Sequence, residues 1–451
     1  MIFLKTNDFK TQQKVIQKVF SNNKNLIELS KHYIKGDSEL VSMLSQVSGL
    51  EDFISFQVFL NMYLLKKYLS SGFGSAIDQK IQTKLFQSFQ LFVETENKSS
   101  NKLSKLFGIR SVDSDLWKTI IETVEQIYDN RKPDDCKNSL LFMLSDANDS
   151  NVMTKRQIIE NTLMFTIMGY KSSVTTVSHL IYSLATNQLI QQKLIKEIDK
   201  YVENQRNNRK STELKCSVKS KRNGETEGNN ESVDKEVVVE EVVKEEVIDE
   251  EAVEKEREDY LKSIEDLEYL DACVCESLRL YPPVPQLRRT ATKDKSIDNI
   301  FIPKNCRIVI PIIDVQTDPD NYPEPEKFKP ERFLPKNASN IRPGAYLPFG
   351  DGLRQCLGRT PALLEIKLCL INILTNFRLV KCSQTKVTVL ESNISGNLLN
   401  FFLRNSNTEE VVIFSQNFLR MRSPLSWLRE IKTCLIDEKF SFFLFILTKL
   451  S

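Results

Sequence analysis

Apolar residues between positions 155 and 187 recur at a helical spacing and predict one long helix. Residues 161–187 read NTLMFTIMGYKSSVTTVSHLIYSLATN, with Gly169 inside the apolar run. Lys171, His179 and many Ser and Thr residues interrupt that run, which favours a buried core helix over a membrane span. A glycine within a helix costs about 1 kcal/mol relative to alanine, so Gly169 indicates the close approach of a bulky group.

A second helical pattern covers YLDACVCESLRLYPPVP, residues 269–285. Most of its positions are apolar, and the pair Pro282-Pro283 predicts where the helix stops. Glu276 and Arg279 are three residues apart, which puts them on one face and close enough to pair. Because the rest of the helix is apolar, we expect this charged pair to be buried and to require further partners.

A glycine-rich loop, PFGDGLRQCLG at residues 348–358, precedes a third helical pattern that begins near Ala362. Gly350 and Gly358 allow backbone conformations that let a flat ligand approach the main chain. Arg354 supplies positive charge for an anionic group. Cys356 lies before a predicted helix N-terminus, which favours the thiolate. The pattern predicts a metal-binding thiolate; the alternative is a free cysteine in a glycine-rich loop.

Composition narrows the class of protein. The chain has 451 residues, 41% of them hydrophobic, which is enough for a large core. Its formal net charge of +2 gives no reason to predict a nucleic-acid partner. Two histidines are too few for a His-rich metal site. Nine cysteines without paired spacings are typical of a reducing compartment, and Cys273 and Cys275 are predicted to fill the core.

The pattern F-x-x-G-x-R-x-C-x-G at residues 349–358 resembles the haem-binding signature of the cytochrome P450 family. The resemblance implies haem b as the cofactor and Cys356 as the metal ligand. It implies Arg289 as the arginine that pairs with a haem propionate, with Arg288 as the neighbouring option. The remaining residues implied to contact the cofactor are Phe349, Gly350, Arg354 and Gly358.

The resemblance extends to the sequence before this loop. The pair Glu276-x-x-Arg279 and the later segment FKPERF, which contains Arg332, match the family in order. They imply a network of Glu276, Arg279 and Arg332 that holds the loop beneath the haem. The implied fold is mainly α with a small β-sheet, cytochrome P450-like, with strands predicted near residues 301–303 and 307–310. Within the family, the sequence is similar to the microsomal branch that includes drug oxidisers and thromboxane synthase.

The family also carries a small residue, Gly, any residue, an acid and Thr on its distal helix. Here those positions read Met168, Gly169, Tyr170, Lys171 and Ser172. The resemblance implies Gly169 as the gap for oxygen, Lys171 as the proton-relay position and Ser172 as the distal alcohol. Ser172 can donate and accept hydrogen bonds but lacks the methyl that fixes a threonine rotamer. Lys171 relays protons only if burial lowers its pKa; otherwise it extends to the surface.

The chain divides into four predicted parts. Residues 1–201 form a helical part that includes the distal helix at about 155–187, and residues 202–260 form a charged, low-complexity insert. Residues 261–420 form the haem-binding core of the same domain, and residues 421–451 an atypical tail. No apolar span opens the chain, and DFKTQQKVIQKVFS resembles a family helix that carries a Trp and an Arg to a propionate, with Phe9 and Gln13 in those places. We expect an N-terminally truncated P450.

The resemblance implies a monooxygenase that inserts one atom of molecular oxygen into a lipophilic small molecule of xenobiotic, steroid or fatty-acid type. Electrons would come from NADPH-cytochrome P450 reductase, and the enzyme would act at the membrane surface, on the cytoplasmic face of the endoplasmic reticulum. One alternative is a thromboxane-synthase-like peroxide isomerase, which needs no reductase. The other is a non-catalytic, truncated haem-binding remnant.

Overall fold

A computed structural model describes residues 6–34, 39–42, 44, 56–74, 78–98, 114–130, 138–148, 152–222, 250–297, 300–381, 402–405 and 411–413. Its named α-helices are α1 (Thr6–Phe20), α2 (Asn23–Ile34), α3 (Phe56–Phe73), α4 (Gln79–Lys98), α5 (Ser114–Asn130), α6 (Leu140–Asp146), α7 (Lys155–Thr186), α8 (Gln188–Arg222), α9 (Glu250–Glu265), α10 (Glu268–Leu280), α11 (Ile312–Gln316) and α12 (Arg359–Asn376). Its strands are β1 (Gln286–Thr290), β2 (Lys295–Ile297), β3 (Ile300–Ile302), β4 (Arg307–Pro311), β5 (Phe377–Val380), β6 (Phe402–Asn405) and β7 (Val411–Ile413).

The described residues are mostly helical with small antiparallel sheets, which confirms the predicted mainly α fold. Strand β1 pairs with β4, and β2 pairs with β3, close to the two predicted strand positions. Strand β6 lies between β5 and β7. Within these ranges, no helix is both long enough and apolar enough to cross a bilayer.

The predicted boundaries of the four parts stay predictions. Helix α8 continues to Arg222, and α9 begins at Glu250, so both ends of the predicted insert are helical. Residues 223–249 of that insert and the predicted tail at 421–451 lie outside the described residues.

Helix α7 is the central element of the fold. Thr154 accepts a hydrogen bond from the Gln157 amide and the Gln157 side chain accepts one from Thr154, a capping box that fixes where the helix begins. The helix packs against α3, α5, α6, α8, α10 and α12. Because partners surround it, an apolar helix of this length is stable in the core.

Helix α10 is held at both ends. The Glu197 carboxylate, from α8, accepts hydrogen bonds from the backbone amides of Tyr269 at 2.9 Å and Leu270 at 2.8 Å. A carboxylate at this position satisfies otherwise unpaired amides and interacts favourably with the helix dipole. At the other end, the Tyr281 ring stacks on His179 of α7 with centroids 4.7 Å apart. Helix α10, which carries the predicted buried pair, is therefore fixed against the central helix α7.

One glutamine side chain joins three elements near the C-terminal end of α7. The Gln191 amide nitrogen donates to the carbonyl oxygens of Leu184 at 3.1 Å and Leu379 at 2.8 Å. Its amide oxygen accepts from the Leu379 backbone nitrogen at 2.9 Å. These bonds tie α7, α8 and β5 together, so the strand that follows α12 has a fixed position.

Candidate functional site

The cysteine loop is closed by backbone geometry that requires glycine. Gly350 and Gly352 both have φ of +68°, a left-handed region that residues with a Cβ rarely adopt. The Cys356 amide donates to the carbonyl oxygen of Phe349 at 2.8 Å, which closes the turn. Helix α12 begins at Arg359, three residues earlier than the apolar pattern predicts, because Gly358 serves as its N-cap. The thiol therefore lies immediately before a helix N-terminus.

The Cys356 thiol is accessible from outside, although protein atoms surround much of it. Burial raises its pKa above the ordinary value for cysteine. A hydrogen bond from the Gly358 amide and the positive charge of Arg359 lower the pKa and so act in the opposite direction. Amide donors and a neighbouring cation are the features that stabilise a thiolate. Burial is the larger effect and the pKa is raised overall, while the Gly358 amide and Arg359 partly offset it at a sulfur on an exposed residue.

Strand β1 turns Arg289 toward this loop and the preceding Arg288 away from it. Leu287 and Arg289 lie on the half-buried side of the strand, whereas Arg288 is exposed. A Cβ built on Gly350 would lie 3.6 Å from the Leu287 side chain, so this side of β1 contacts the loop. Burial, and then the charge of Arg289, lower the pKa of Arg354. Of the two arginines considered for a propionate, Arg289 is the one close to the cysteine loop.

Helix α1 also contacts the loop. The Gln13 side chain is buried and donates from Nε2 to the carbonyl oxygen of Leu353 at 3.2 Å. The Phe9 side chain lies outside what the structure describes. Gln13, which the resemblance matched to a family arginine, thus binds the loop backbone through a neutral amide.

The distal-helix candidates lie on the least buried stripe of α7. Met164, Met168, Ser172 and Thr175 are half-buried on a helix that is otherwise largely enclosed, and their spacing puts them on one face. The Ser172 hydroxyl donates to the carbonyl oxygen of Gly169 at 3.1 Å. Its oxygen therefore remains available as an acceptor on this half-buried face.

The structure gives Gly169 a packing role. A Cβ built at this position would overlap Cε1 of the Tyr68 ring, which belongs to α3. The bulky group predicted from the mid-helix glycine is therefore an aromatic side chain of the protein itself. The assignment of Gly169 as a gap for oxygen stays a prediction.

Lys171 is half-buried, and burial lowers its pKa to about 8. A pKa this close to neutrality lets the Lys171 amine gain and lose a proton at physiological pH. A pKa lowered by burial is what a proton-relay role requires. That role stays a prediction.

The charged pair on α10 is completely enclosed. The side chains of Glu276 and Arg279 have no exposed surface, and Arg279 donates to Glu276 from Nε at 2.7 Å and from Nη2 at 2.9 Å. Arg332 reaches the same carboxylate from the 3-10 helix Pro330–Phe333, with its Nε 3.3 Å from Glu276 Oε1. The Lys329 backbone amide donates to that oxygen at 2.8 Å. The three predicted network residues therefore share one buried carboxylate.

Backbone carbonyls take up the rest of the Arg279 guanidinium. It donates to the carbonyl oxygens of Gln316 and Pro325, each at 2.8 Å, and of Lys327 at 3.3 Å. Its carbon lies 4.9 Å from the centre of the Tyr322 ring, a favourable cation–π distance. The Gln316 side chain accepts from the Leu347 amide at 2.8 Å, just before the cysteine loop. The network is thereby connected to the loop through the main chain.

The profile of the cytochrome P450 family matches residues 12–215 and 238–401. This chain belongs to the cytochrome P450 family. Cytochrome P450 3A27 of Oncorhynchus mykiss is 30% identical over 279 residues, which cover 62% of this chain and 42% of the relative. Cytochrome P450 3A12 of Canis lupus familiaris is 30% identical over 61% of this chain and 46% of the relative. Cytochrome P450 3A19 of Capra hircus aegagrus is 32% identical over 51% of this chain and 83% of the relative. The chain spans less than half the length of the first two.

Haem is the cofactor of the P450 family, and the cysteine loop fits it. A sulfur near a backbone amide and a cation suits a soft metal, and Arg289 and Arg354 are two neighbouring cations of the kind that anionic groups need. Among the described residues, no cluster of three or more His, Cys, Asp or Glu side chains offers a competing metal site. The side chains around the cysteine loop of this P450 therefore suit a flat, anionic cofactor whose metal is bound by one cysteine sulfur.

The sequence analysis did not predict one buried cluster of polar side chains in this P450. Tyr68 of α3, Ser173 of α7 and Glu365 of α12 form a hydrogen-bonded cluster across three helices. A lone glutamate in the apolar run PALLEIKLCLINIL is the signal that could have indicated it. Tyr68 lies 105 residues from Ser173, and no local pattern relates them.

Proposed function

We propose that this chain is the haem-binding part of a P450 monooxygenase that acts on a lipophilic small molecule. The observation that carries the proposal is the Cys356 loop: an accessible thiol supported by the Gly358 amide and Arg359, beside Arg289. Haem bound by a thiolate supplies the activation of molecular oxygen, with two electrons and two protons per oxygen atom inserted and one water released. Substrates of xenobiotic, steroid or fatty-acid type are proposed from the resemblance to the microsomal branch.

In this reading the chain's residues have separate tasks. Cys356 binds the metal, and Arg289 and Arg354 pair with the propionates, supported by Phe349, Gly350 and Gly358 in the loop. The Ser172 hydroxyl holds a water on the half-buried face of α7, and Lys171 passes protons to it from solvent. The buried Glu276–Arg279–Arg332 network keeps the loop in place.

Electron supply and location are proposed from the same resemblance. NADPH-cytochrome P450 reductase would deliver the electrons, and the protein would act at the cytoplasmic face of the endoplasmic reticulum membrane. A reductase assay with and without NADPH tests the first part. Cell fractionation of the tagged chain tests the second.

A peroxide isomerase is the second candidate, and the distal helix favours it. Lys171 stands where the family carries an acid, and the Ser172 hydroxyl donates its hydrogen to its own helix at Gly169. Such a site suits a reaction that needs no proton from solvent. Conversion of a fatty-acid hydroperoxide without reductant would support this candidate; strict dependence on NADPH and reductase would exclude it.

The first test is the absorption spectrum of the reduced, carbon-monoxide-bound chain expressed with haem. We expect the red-shifted Soret band of a thiolate-ligated iron, its loss in Cys356→Ala, and its retention in Cys306→Ala. Cys306 is a matched control because it is a free, half-buried cysteine far from the loop in sequence. Absence of a haem band in the unmodified chain would contradict the proposal. A band retained in Cys356→Ala would show that another residue is the ligand.

A further inference from the structure

A buried acid on α12 connects the cysteine-loop helix to the distal helix. Glu365 is only 3% exposed, and its Oε2 accepts a hydrogen bond from the Ser173 hydroxyl at 3.4 Å. The Tyr68 hydroxyl is 2.7 Å from the Ser173 hydroxyl and also hydrogen-bonds the Glu365 carboxyl. Helices α3, α7 and α12 therefore meet at one carboxyl group.

The surroundings of Glu365 favour the neutral acid. Burial raises its pKa to about 8, against the lowering effects of Tyr68, Lys67 and Ser173. In the part of the chain that the structure describes, no donor pairs with the buried oxygen Oε1. A carboxylate there would carry a buried negative charge with one oxygen unsatisfied, which is much costlier than a neutral carboxyl.

The other titratable groups around Glu365 come from α2 and α3. Lys67 donates from Nζ to the carbonyl oxygen of Tyr33 at 2.6 Å and lies over the Tyr63 ring. Burial and then the charge of Glu365 raise the pKa values of Tyr33 and Tyr68, so both stay neutral. Helix α7 contributes the neutral Ser173 hydroxyl. Helices α8, α9, α10 and strand β5 also pack on α12, and their described residues add no group that shifts the pKa of Glu365.

We propose that Glu365 is a positioning residue: as a neutral acid it ties α12 to α7 and thereby holds the Cys356 loop, and its ionisation releases this tie. Helix α12 begins three residues after Cys356, so movement of α12 against α7 moves the loop. Only the last step, from α12 to the thiolate, rests on the proposed function.

The direction of the pH effect follows from linkage. Opening of the α7–α12 contact exposes the carboxyl to water and returns its pKa to the ordinary value near 4.5. The closed form therefore keeps its proton to higher pH than the open form does. The equilibrium constant for closing the contact is at its maximum below about pH 4.5. It falls about tenfold per pH unit up to about pH 8 and is constant above that value.

Hydrogen exchange of the full chain tests the tie without requiring haem. Protection factors of α7 and α12 peptides are measured between about pH 6 and pH 9 for the unmodified chain, Glu365→Gln and Glu160→Gln. Glu160 is the matched control because it is an exposed acid of α7 that pairs with Arg156. Protection of α12 should fall about tenfold per pH unit from about pH 6 to 8. Glu365→Gln should abolish this fall and Glu160→Gln should keep it; equal profiles for all three overturn the proposal.

A second variant and a spectrum complete the test. Tyr68→Phe keeps the carboxyl but removes one of its hydrogen-bond partners, so protection of α12 should fall several-fold at every pH while the pH dependence remains. In the haem-loaded chain, the thiolate band should weaken as pH rises from about 6 to about 8 and level off above that value, and Glu365→Gln should remove this change. A band whose pH dependence survives Glu365→Gln overturns the positioning step. If the chain binds no haem, the proposed function fails, whereas the exchange profiles still decide whether Glu365 ties α12 to α7.

Discussion

Replacing Arg279 with alanine removes the centre of the buried network on α10. The guanidinium makes two hydrogen bonds to Glu276 and three to backbone carbonyl oxygens, and it has no exposed surface. After the substitution, Glu276 would remain fully buried with only Arg332 and the Lys329 amide as partners. The carbonyl oxygens of Gln316, Pro325 and Lys327 would lose this donor.

The expected loss of unfolding free energy in Arg279→Ala is comparable to the stability of a whole domain. Removing one partner of a buried ion pair costs about 3–5 kcal/mol because the other charge stays buried. Each carbonyl oxygen left without a donor adds about 1–3 kcal/mol, and loss of the contact with the Tyr322 ring adds about 0.5–2 kcal/mol. The total exceeds about 5 kcal/mol, against a typical stability of about 5–15 kcal/mol. We therefore expect Arg279→Ala to be unfolded or insoluble, not folded and inactive.

Urea unfolding followed by far-ultraviolet circular dichroism measures this difference. Lys327→Ala is the matched control, because Lys327 forms a solvent-exposed ion pair with Glu324, and exposed pairs contribute little to stability. Arg279→Lys keeps the charge but not the fork of donors, so its unfolding free energy should lie between those of the unmodified chain and Arg279→Ala. An Arg279→Ala chain whose unfolding free energy lies within about 1 kcal/mol of the unmodified value would refute the reasoning.

Two further substitutions test the distal helix. Gly169→Ala places a methyl group against the Tyr68 ring, so overpacking of about 1–3 kcal/mol should outweigh the gain of about 1 kcal/mol in helix propensity and lower the unfolding free energy. An unchanged or higher value in urea unfolding would contradict the packing role of Gly169. Ser172→Ala in the haem-loaded chain should raise the hydrogen peroxide released per NADPH consumed, because the water that we propose Ser172 holds would lose its anchor. An unchanged ratio would show that Ser172 does not hold this water.

Local patterns were sufficient where the relevant contacts are close in sequence. The spacing of Glu276 and Arg279 on an apolar helix predicts a buried pair, and the structure shows both side chains enclosed. The apolar run around Gly169 predicts a core helix with a close neighbour, and Tyr68 is that neighbour. Both inferences depend only on helical periodicity and on the cost of burying a charge.

Contacts between distant segments could not be predicted in this way. The partner of Gly169 comes from α3, about a hundred residues earlier, and Glu365 meets Ser173 across 192 residues. A single sequence does not indicate which helix faces which, because many arrangements of apolar helices satisfy the same pattern. The choice between Arg288 and Arg289 likewise required the register of β1, since shifting a strand by one residue exchanges its two faces.

The partners of Arg279 determine how late in synthesis helix α10 can pack against the rest of the chain. The backbone acceptors of Arg279, at the end of α11 and in the segment after it, lie 37 to 48 residues later, and Arg332, which shares Glu276, lies later still. Until those residues leave the ribosome, docking of α10 would bury a guanidinium with most of its donors unsatisfied. We therefore expect helix α10 to stay undocked on the nascent chain until Arg332 has emerged, with its apolar face exposed during that interval.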